Sequence, residues 1–112
     1  MLFQVAGGCG LGALKAADAA GLWGIGVDSD QYNDAKRVLT SGTKHTDVGV
    51  YLTTLAAANN TFKGGTNLVF NLKNNGVGVG RINPTVPKAW ITLMNGYKTK
   101  IIKGTLKVPT KL

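Results

Sequence analysis

The sequence predicts an α/β fold, and three observations carry that prediction. First, Leu2 to Asp30 runs from an apolar stretch through a glycine cluster (Gly7, Gly8, Gly10, Gly12) and an alanine-rich segment to a second apolar stretch that ends in acids. That order is strand, turn, helix, strand: a βαβ unit with its polar groups gathered at one end. Second, apolar residues recur at helical spacing in two later segments, around Tyr51 and around Trp90. Third, Asn74-Asn75-Gly76 separates two short apolar runs, a hairpin signal because Asn and Gly accept left-handed backbone.

In chain order, residues 2–6 read as a buried strand, and Gly7 to Gly12 as the turn after it. Leu11, Leu14, Ala17 and Ala20 mark one side of a helix that ends near Gly21, a natural residue just past a helix end. Leu22 to Val27 is the second strand, with Gly24 and Gly26 suiting close packing. Gln31 to Arg37 reads as loop or a short helical turn. Val38 to Thr40 is a brief third strand, and Ser41 to Thr43 a loop at its end. Val48, Tyr51, Leu52 and Leu55 give an amphipathic helix closed by Asn59 and Asn60. Lys63-Gly64-Gly65 is a turn. Leu68 to Leu72 and Val77 to Ile82 are the two strands of the hairpin. Asn83 and Pro84 predict a helix start, Asn as N-cap and Pro at the first position. Val86, Trp90, Leu93, Met94, Tyr97 and Ile101 keep helical spacing up to Gly104, before a short strand at Leu106 to Val108 and a frayed tail.

A chain of 112 residues makes one domain at most, with enough length to bury a core. Its 44% hydrophobic content is that of an ordinary globular protein. No apolar run approaches the ~20 residues of a bilayer span, and no basic, apolar, small-residue leader pattern opens the chain. The expectation is either a small cytosolic protein or a fragment of a larger one. The single cysteine, Cys9, excludes an intrachain disulfide and a cysteine zinc site, and the single histidine, His45, excludes a multi-histidine metal site. No cofactor is called for.

The net charge of +8 is unevenly placed. All five acids lie within the first 47 residues, and from Val48 onward there are nine lysines and arginines and no acid. The lysines stand singly without interleaved aromatics, which predicts a solvated basic face and no nucleic-acid partner. Ser41 has no evident base and His45 no paired nucleophile, so the chain reads as non-enzymatic.

The polar edge of the βαβ unit is the candidate binding edge, because ligands of open α/β sheets sit at the carboxyl ends of the strands. Gly8, Gly10 and Ala13 satisfy the G-x-G-x-x-G/A pattern, and Asp28 follows at the end of the next strand. One reading is therefore a small Rossmann-like dinucleotide-binding subunit, with pyrophosphate on the helix N-terminus and the carboxylate on ribose hydroxyls. Against it, only one more strand and a hairpin follow.

A second reading comes from a resemblance. VAGGCGLGALKAADAAGLWGIGVDSDQ, VLTSGTKHTDVGVY, FKGGTNLVFNLKNNGVGVGRINPTVPKAW and the lysine-rich end closely resemble, in order and over essentially the whole chain, the C-terminal part of the basic membrane protein (BMP) family. These are lipoprotein substrate-binding components of ABC transporters and include purine-nucleoside receptors. The resemblance implies a type I periplasmic binding protein fold: two α/β lobes closing on a ligand. This chain would be the C-terminal lobe portion, βαβ units plus a β-hairpin and a C-terminal helix, in a single fragment 1–112 with the N-terminal lobe absent. It implies Asp28 as acceptor for ribose hydroxyls, Gly7 and Gly8 as the turn that lets backbone approach the ligand, and Lys44 as a candidate to reach the purine or a sugar oxygen. Asp30 and Gln31 rank behind them. Cys9 stands where the family commonly has a small hydroxyl residue, His45 where it has arginine, and Asn71 where it often has Asp. The implied partners are a nucleoside and, in the full-length protein, the transporter permease. The implied location is the cell envelope outside the cytoplasm, anchored as a lipoprotein through a lipid absent from the fragment. A lobe without its neighbour would expose apolar surface and strand edges, so self-association is expected.

Overall fold

The computed structural model describes residues 1–109. Four strands form one sheet in the order β1 (Leu2–Phe3), β2 (Gly24–Asp28), β3 (Val38–Lys44) and β4 (Val77–Val79). The first three run parallel, and β4 is antiparallel to β3. Three helices accompany them: α1 (Gly10–Ala19), α2 (Thr46–Ala58) and α3 (Lys88–Lys103). The βαβ unit is present as predicted. After a 3₁₀ turn at Gly7–Cys9, α1 carries the chain from β1 back to β2. Leu14 and Ala17 press one side of α1 onto the sheet, where they and Val38 form the buried apolar core.

The first strand departs from expectation. It is two residues long and exposed, with no strand on its outer side among the described residues. Gln4, which interrupts the apolar run, is instead buried, at 5% exposure. Its carboxamide lies over Gly10, on ground that a β-carbon there would occupy. A polar side chain that finds internal partners displaces the apolar pattern that periodicity alone would bury.

The third strand is longer than predicted. Ser41, Gly42 and Thr43, expected as loop, continue β3, because β2 pairs along one side (Gly26↔Ser41 to Asp28↔Thr43) and β4 along the other (Gly42↔Val79, Thr43↔Gly78). Ladder partners on both sides override the weak strand propensity of small polar residues.

The predicted hairpin does not form as a strand pair. Residues 68–72 have no ladder partner, and β4 pairs with β3 instead. The turn itself is there: Asn75 has φ 57°, and Gly76 N–H bonds to the Asn71 carbonyl at 2.9 Å. Turn chemistry sets the reversal but not the partner, and β3 offers a full edge where 68–72 does not.

The last helix begins at Lys88, four residues later than Asn83-Pro84 predicts. Asn83 does cap, but it caps a turn: its Oδ1 accepts from the Thr85 N–H at 3.1 Å and the Thr85 hydroxyl at 2.8 Å. A helix begun at Pro84 would need an N–H from residue 87, which is Pro87, and proline also drives its predecessor out of helical geometry. Gly104, with φ 75°, ends α3 as expected by donating to the Lys100 and Ile101 carbonyls. The short strand expected at Leu106 to Val108 is irregular chain; the tail from Thr110 lies outside the described residues. No helix among the described residues is long and apolar enough to cross a membrane.

Candidate functional site

The three parallel strands finish along one edge. β1 leads into the Gly7–Gly8 turn, β2 ends at Asp28 and β3 at Lys44. The pairing Asp28↔Thr43 sets Asp28 next to the last residues of β3. Lys44 Nζ lies 2.7 Å from Asp28 Oδ1, and both side chains remain half-exposed or more. The edge therefore holds a carboxylate and an ammonium in contact, with Asp28 Oδ1 itself covered from solvent.

The backbone at Asp28 is unusual. Its φ is +73°, and the N–H of Ser29 bonds to the Val27 carbonyl at 3.0 Å. Asp28 thus sits at the centre of a three-residue γ-turn, the strained kind with positive φ. Strain of this sort persists only where the surroundings hold it, and it concentrates at ligand sites.

What holds it is a polar network beneath the edge. Gln31 Oε1 accepts from the Val27 N–H at 2.9 Å and from Gln4 Nε2 at 3.0 Å, while the Gln31 N–H donates to Ser41 Oγ at 3.0 Å. Gln4 Oε1 in turn accepts from the Ala6 N–H at 3.1 Å. Gln4 and the fully buried Ser41 therefore link the ends of all three parallel strands to the residues after Asp28. Of these, only Gln31 is singled out by the sequence. Gln4 leaves a trace as a lone amide inside an apolar run, and Ser41 leaves none.

Asp30 stands apart from the ion pair. Its Oδ1 accepts from the Tyr32 N–H at 3.3 Å and its Oδ2 from the Arg81 N–H at 3.2 Å, so both oxygens hold backbone. The Arg81 guanidinium lies 4.6 Å from the centre of the Tyr32 ring, closing the same loop from outside. Gly7 and Gly8 have no atom within 4 Å of where a β-carbon would stand, which leaves their backbone approachable. Cys9 is free and exposed.

His45 follows Lys44. Its Nδ1 lies 2.8 Å from the Asn75 carbonyl oxygen, which can only accept, so Nδ1 carries a proton; Nε2 lies 3.1 Å from the Thr43 hydroxyl. The ring ties the end of β3 to the turn before β4. Beside it opens a mostly apolar groove of about 680 Å³, walled by Lys44, His45, Gly49, Thr53, Phe70 and Val77, which the sequence does not announce. No group of His, Cys, Asp or Glu among the described residues is arranged to hold a metal. After β3 the described residues add one antiparallel strand and no further parallel strand, and Gln4 covers Gly10 of the glycine pattern.

Comparison with known proteins finds a family model that matches nearly the whole chain. The family model described as ABC transporter substrate-binding protein PnrA-like, Bmp, matches residues 1–111. The ABC transporter nucleoside-binding protein BmpA of Lactococcus lactis is 34% identical over 137 residues, covering 99% of this chain and 36% of that protein. Among solved structures, one described as a transcriptional activator of the comK gene from Bacillus halodurans superposes with a TM-score of 0.86 at 20% identity, over 93% of this chain and 37% of that one. A solute-binding protein of an ABC transporter system from Aeropyrum pernix gives 0.65 at 23% identity, over 89% and 36%. At these identities the superpositions speak to the fold alone: a mixed α/β sheet with helices, as in ABC solute-binding proteins. The chain spans about a third of the length of the curated relatives it matches.

Proposed function

The chain belongs to the Bmp family of PnrA-like ABC transporter substrate-binding proteins, and from that premise we propose that it forms one wall of a cleft that binds purine nucleosides for uptake. The observation that carries the reading is Asp28, a half-exposed carboxylate held at the centre of a γ-turn on the sheet's C-terminal edge. A carboxylate in that position accepts two hydroxyls of a ribose cis-diol at once, and such charge-assisted bonds are the strong ones. Lys44, which lies against Oδ1, turns toward a sugar or purine oxygen in this reading when the diol takes its place. Gly7 and Gly8 offer bare backbone at the same edge. Asp30 contributes by fixing the loop that follows. The name of the Lactococcus relative supports a nucleoside as the ligand class.

In this reading the protein binds and releases and performs no turnover. Its ligand passes to a transporter permease, and it works outside the cytoplasm, held to the plasma membrane by a lipid anchor on the full-length protein. The test is a chimera in which this chain replaces the matching third of the Lactococcus BmpA protein. Isothermal calorimetry should show inosine or guanosine binding that adenine and hypoxanthine, lacking ribose, do not reproduce. A folded chimera that takes none of the nucleosides sinks the proposal.

A further inference from the structure

Two amide side chains join the two parts of the edge that face a ligand. Gln4 Oε1 accepts from the Ala6 N–H at 3.1 Å, immediately before the Gly7–Gly8 turn. Gln31 Oε1 accepts from the Val27 N–H at 2.9 Å, immediately before Asp28. A backbone N–H only donates, so both amide oxygens are assigned, and Gln4 Nε2 is the donor of the 3.0 Å bond to Gln31 Oε1. Glycines clear the ground for both groups. A β-carbon on Gly10 would overlap the Gln4 carboxamide, and one on Gly26 would stand 2.9 Å from Gln31 Oε1. The Gln31 N–H is held as well, by the Oγ of the fully buried Ser41 at 3.0 Å. The Gln31 side chain therefore reaches back to Val27, and Asp28 lies within the loop that this bond closes.

We propose that Gln4 and Gln31 are positioning residues: they fix the Asp28 turn against the Gly7–Gly8 turn, and so make the edge select a ligand that carries a cis-diol. The proposal rests on the nucleoside reading above. One carboxylate serves two vicinal hydroxyls only when it meets both at a good angle, so its direction matters as much as its presence. The φ of +73° sets that direction. Released, a non-glycine residue relaxes to negative φ and the carboxylate turns with it. Lys44 does not set the direction, since its long, exposed side chain meets Oδ1 alone. Both amide oxygens are already taken by protein donors, so the pair acts through Asp28. Gln31 Oε1 receives two bonds and gives none, whereas Gln4 must both accept and donate. That asymmetry makes the pair testable.

The test measures guanosine and 2′-deoxyguanosine binding by calorimetry in the chimera with the Lactococcus BmpA protein. The unaltered chimera should prefer guanosine by roughly tenfold or more. Gln31→Met keeps the length but loses the acceptor, and Gln4→Glu loses the donor; each should cut the preference below about threefold. Gln31→Glu keeps an oxygen for both donors and should restore the preference that Gln31→Met loses. A general loss of stability weakens both ligands alike and leaves their ratio intact. A ratio that survives Gln31→Met and Gln4→Glu therefore overturns the inference, and so does a Gln31→Glu variant no better than Gln31→Met. If Gln31→Met does not fold by circular dichroism, the contrast between Gln31→Glu and Gln4→Glu decides. A second readout uses the 112-residue chain without ligand. Positive φ brings a residue's own N–H and Hα close together, so Asp28 should show a strong intraresidue nuclear Overhauser effect, lost in Gln31→Met and Gln4→Glu and regained in Gln31→Glu. A chimera that takes no nucleoside sinks the nucleoside reading and the diol selection with it; the positioning role then stands or falls on the Overhauser effect.

Discussion

Lys44 Nζ stands 2.7 Å from Asp28 Oδ1 across the ends of two neighbouring parallel strands. The pair keeps the carboxylate compensated, with Oδ1 covered and the rest of the side chain exposed. Because both side chains are half-exposed or more, the contact itself contributes little to stability, under about 1 kcal/mol. Lys44→Met should therefore leave the thermal midpoint nearly unchanged. In the chimera with the Lactococcus protein, Asp28→Asn should weaken nucleoside binding by roughly 10- to 150-fold, the equivalent of about 1.5–3 kcal/mol for hydrogen bonds to a charged group. Equal affinity in calorimetry would remove Asp28 from the site.

The γ-turn makes Asp28 costly to the fold. A non-glycine residue at φ +73° loses roughly 1–2 kcal/mol relative to glycine. Asp28→Gly should accordingly be more stable to urea than Asp28→Ala by about 1 kcal/mol, while neither variant in the chimera binds nucleoside. Equal midpoints for the two would mean that the turn is not strained.

The network beneath the edge is predicted to matter more for stability than the ion pair above it. Gln31→Ala leaves the Val27 N–H and the buried Gln4 amide without their shared acceptor, at a cost of about 1–3 kcal/mol. Denaturant titration checks this, and a change of a few tenths would mean that other groups take over.

Gly26 allows the chain after β2 to lie close against the sheet. A β-carbon there would stand 2.5 Å from Ser41 Oγ and 2.8 Å from Gln31 Cβ, so Gly26→Ala should destabilise by roughly 1–3 kcal/mol. The same substitution at Gly12, where nothing lies within 4 Å, should stabilise α1 by up to about 1 kcal/mol. Thermal melts of the two variants should move in opposite directions.

Pro87 is what delays α3. Pro87→Ala restores the missing donor and frees residue 86, so the helix should extend back toward Asn83, adding about one turn. Amide and Cα chemical shifts at residues 84–87 would report it; unchanged shifts would assign the delay to the tie between Asn83 Nδ2 and the Val38 carbonyl instead.

Titration with NADH followed by tryptophan emission separates the dinucleotide reading from the nucleoside one. With Gln4 over Gly10 and no further parallel strand after β3 among the described residues, no response is expected at millimolar cofactor. A saturable change would reopen that reading.

The sequence by itself determined the βαβ unit, the helices around Tyr51 and Trp90, the end of α3 at Gly104, the family, and the prominence of Asp28 and Lys44. Each is written in local terms: hydrophobic period, a glycine at a helix end, a motif in register. Only the tertiary structure decided that Ser41 to Thr43 belong to β3, that β4 pairs with β3 and not with residues 68–72, and that Gln4 and Ser41 lie buried beneath Asp28 while Leu2 and Phe3 lie exposed. Those outcomes depend on which strand edge is free to pair and which amide finds a partner some thirty residues away, and local spacing carries no record of either. The contact between Asp28 and Lys44 belongs to both. Their residue types were legible in the sequence, but their 2.7 Å separation follows from the strand register and from a γ-turn that nothing short of the folded sheet imposes.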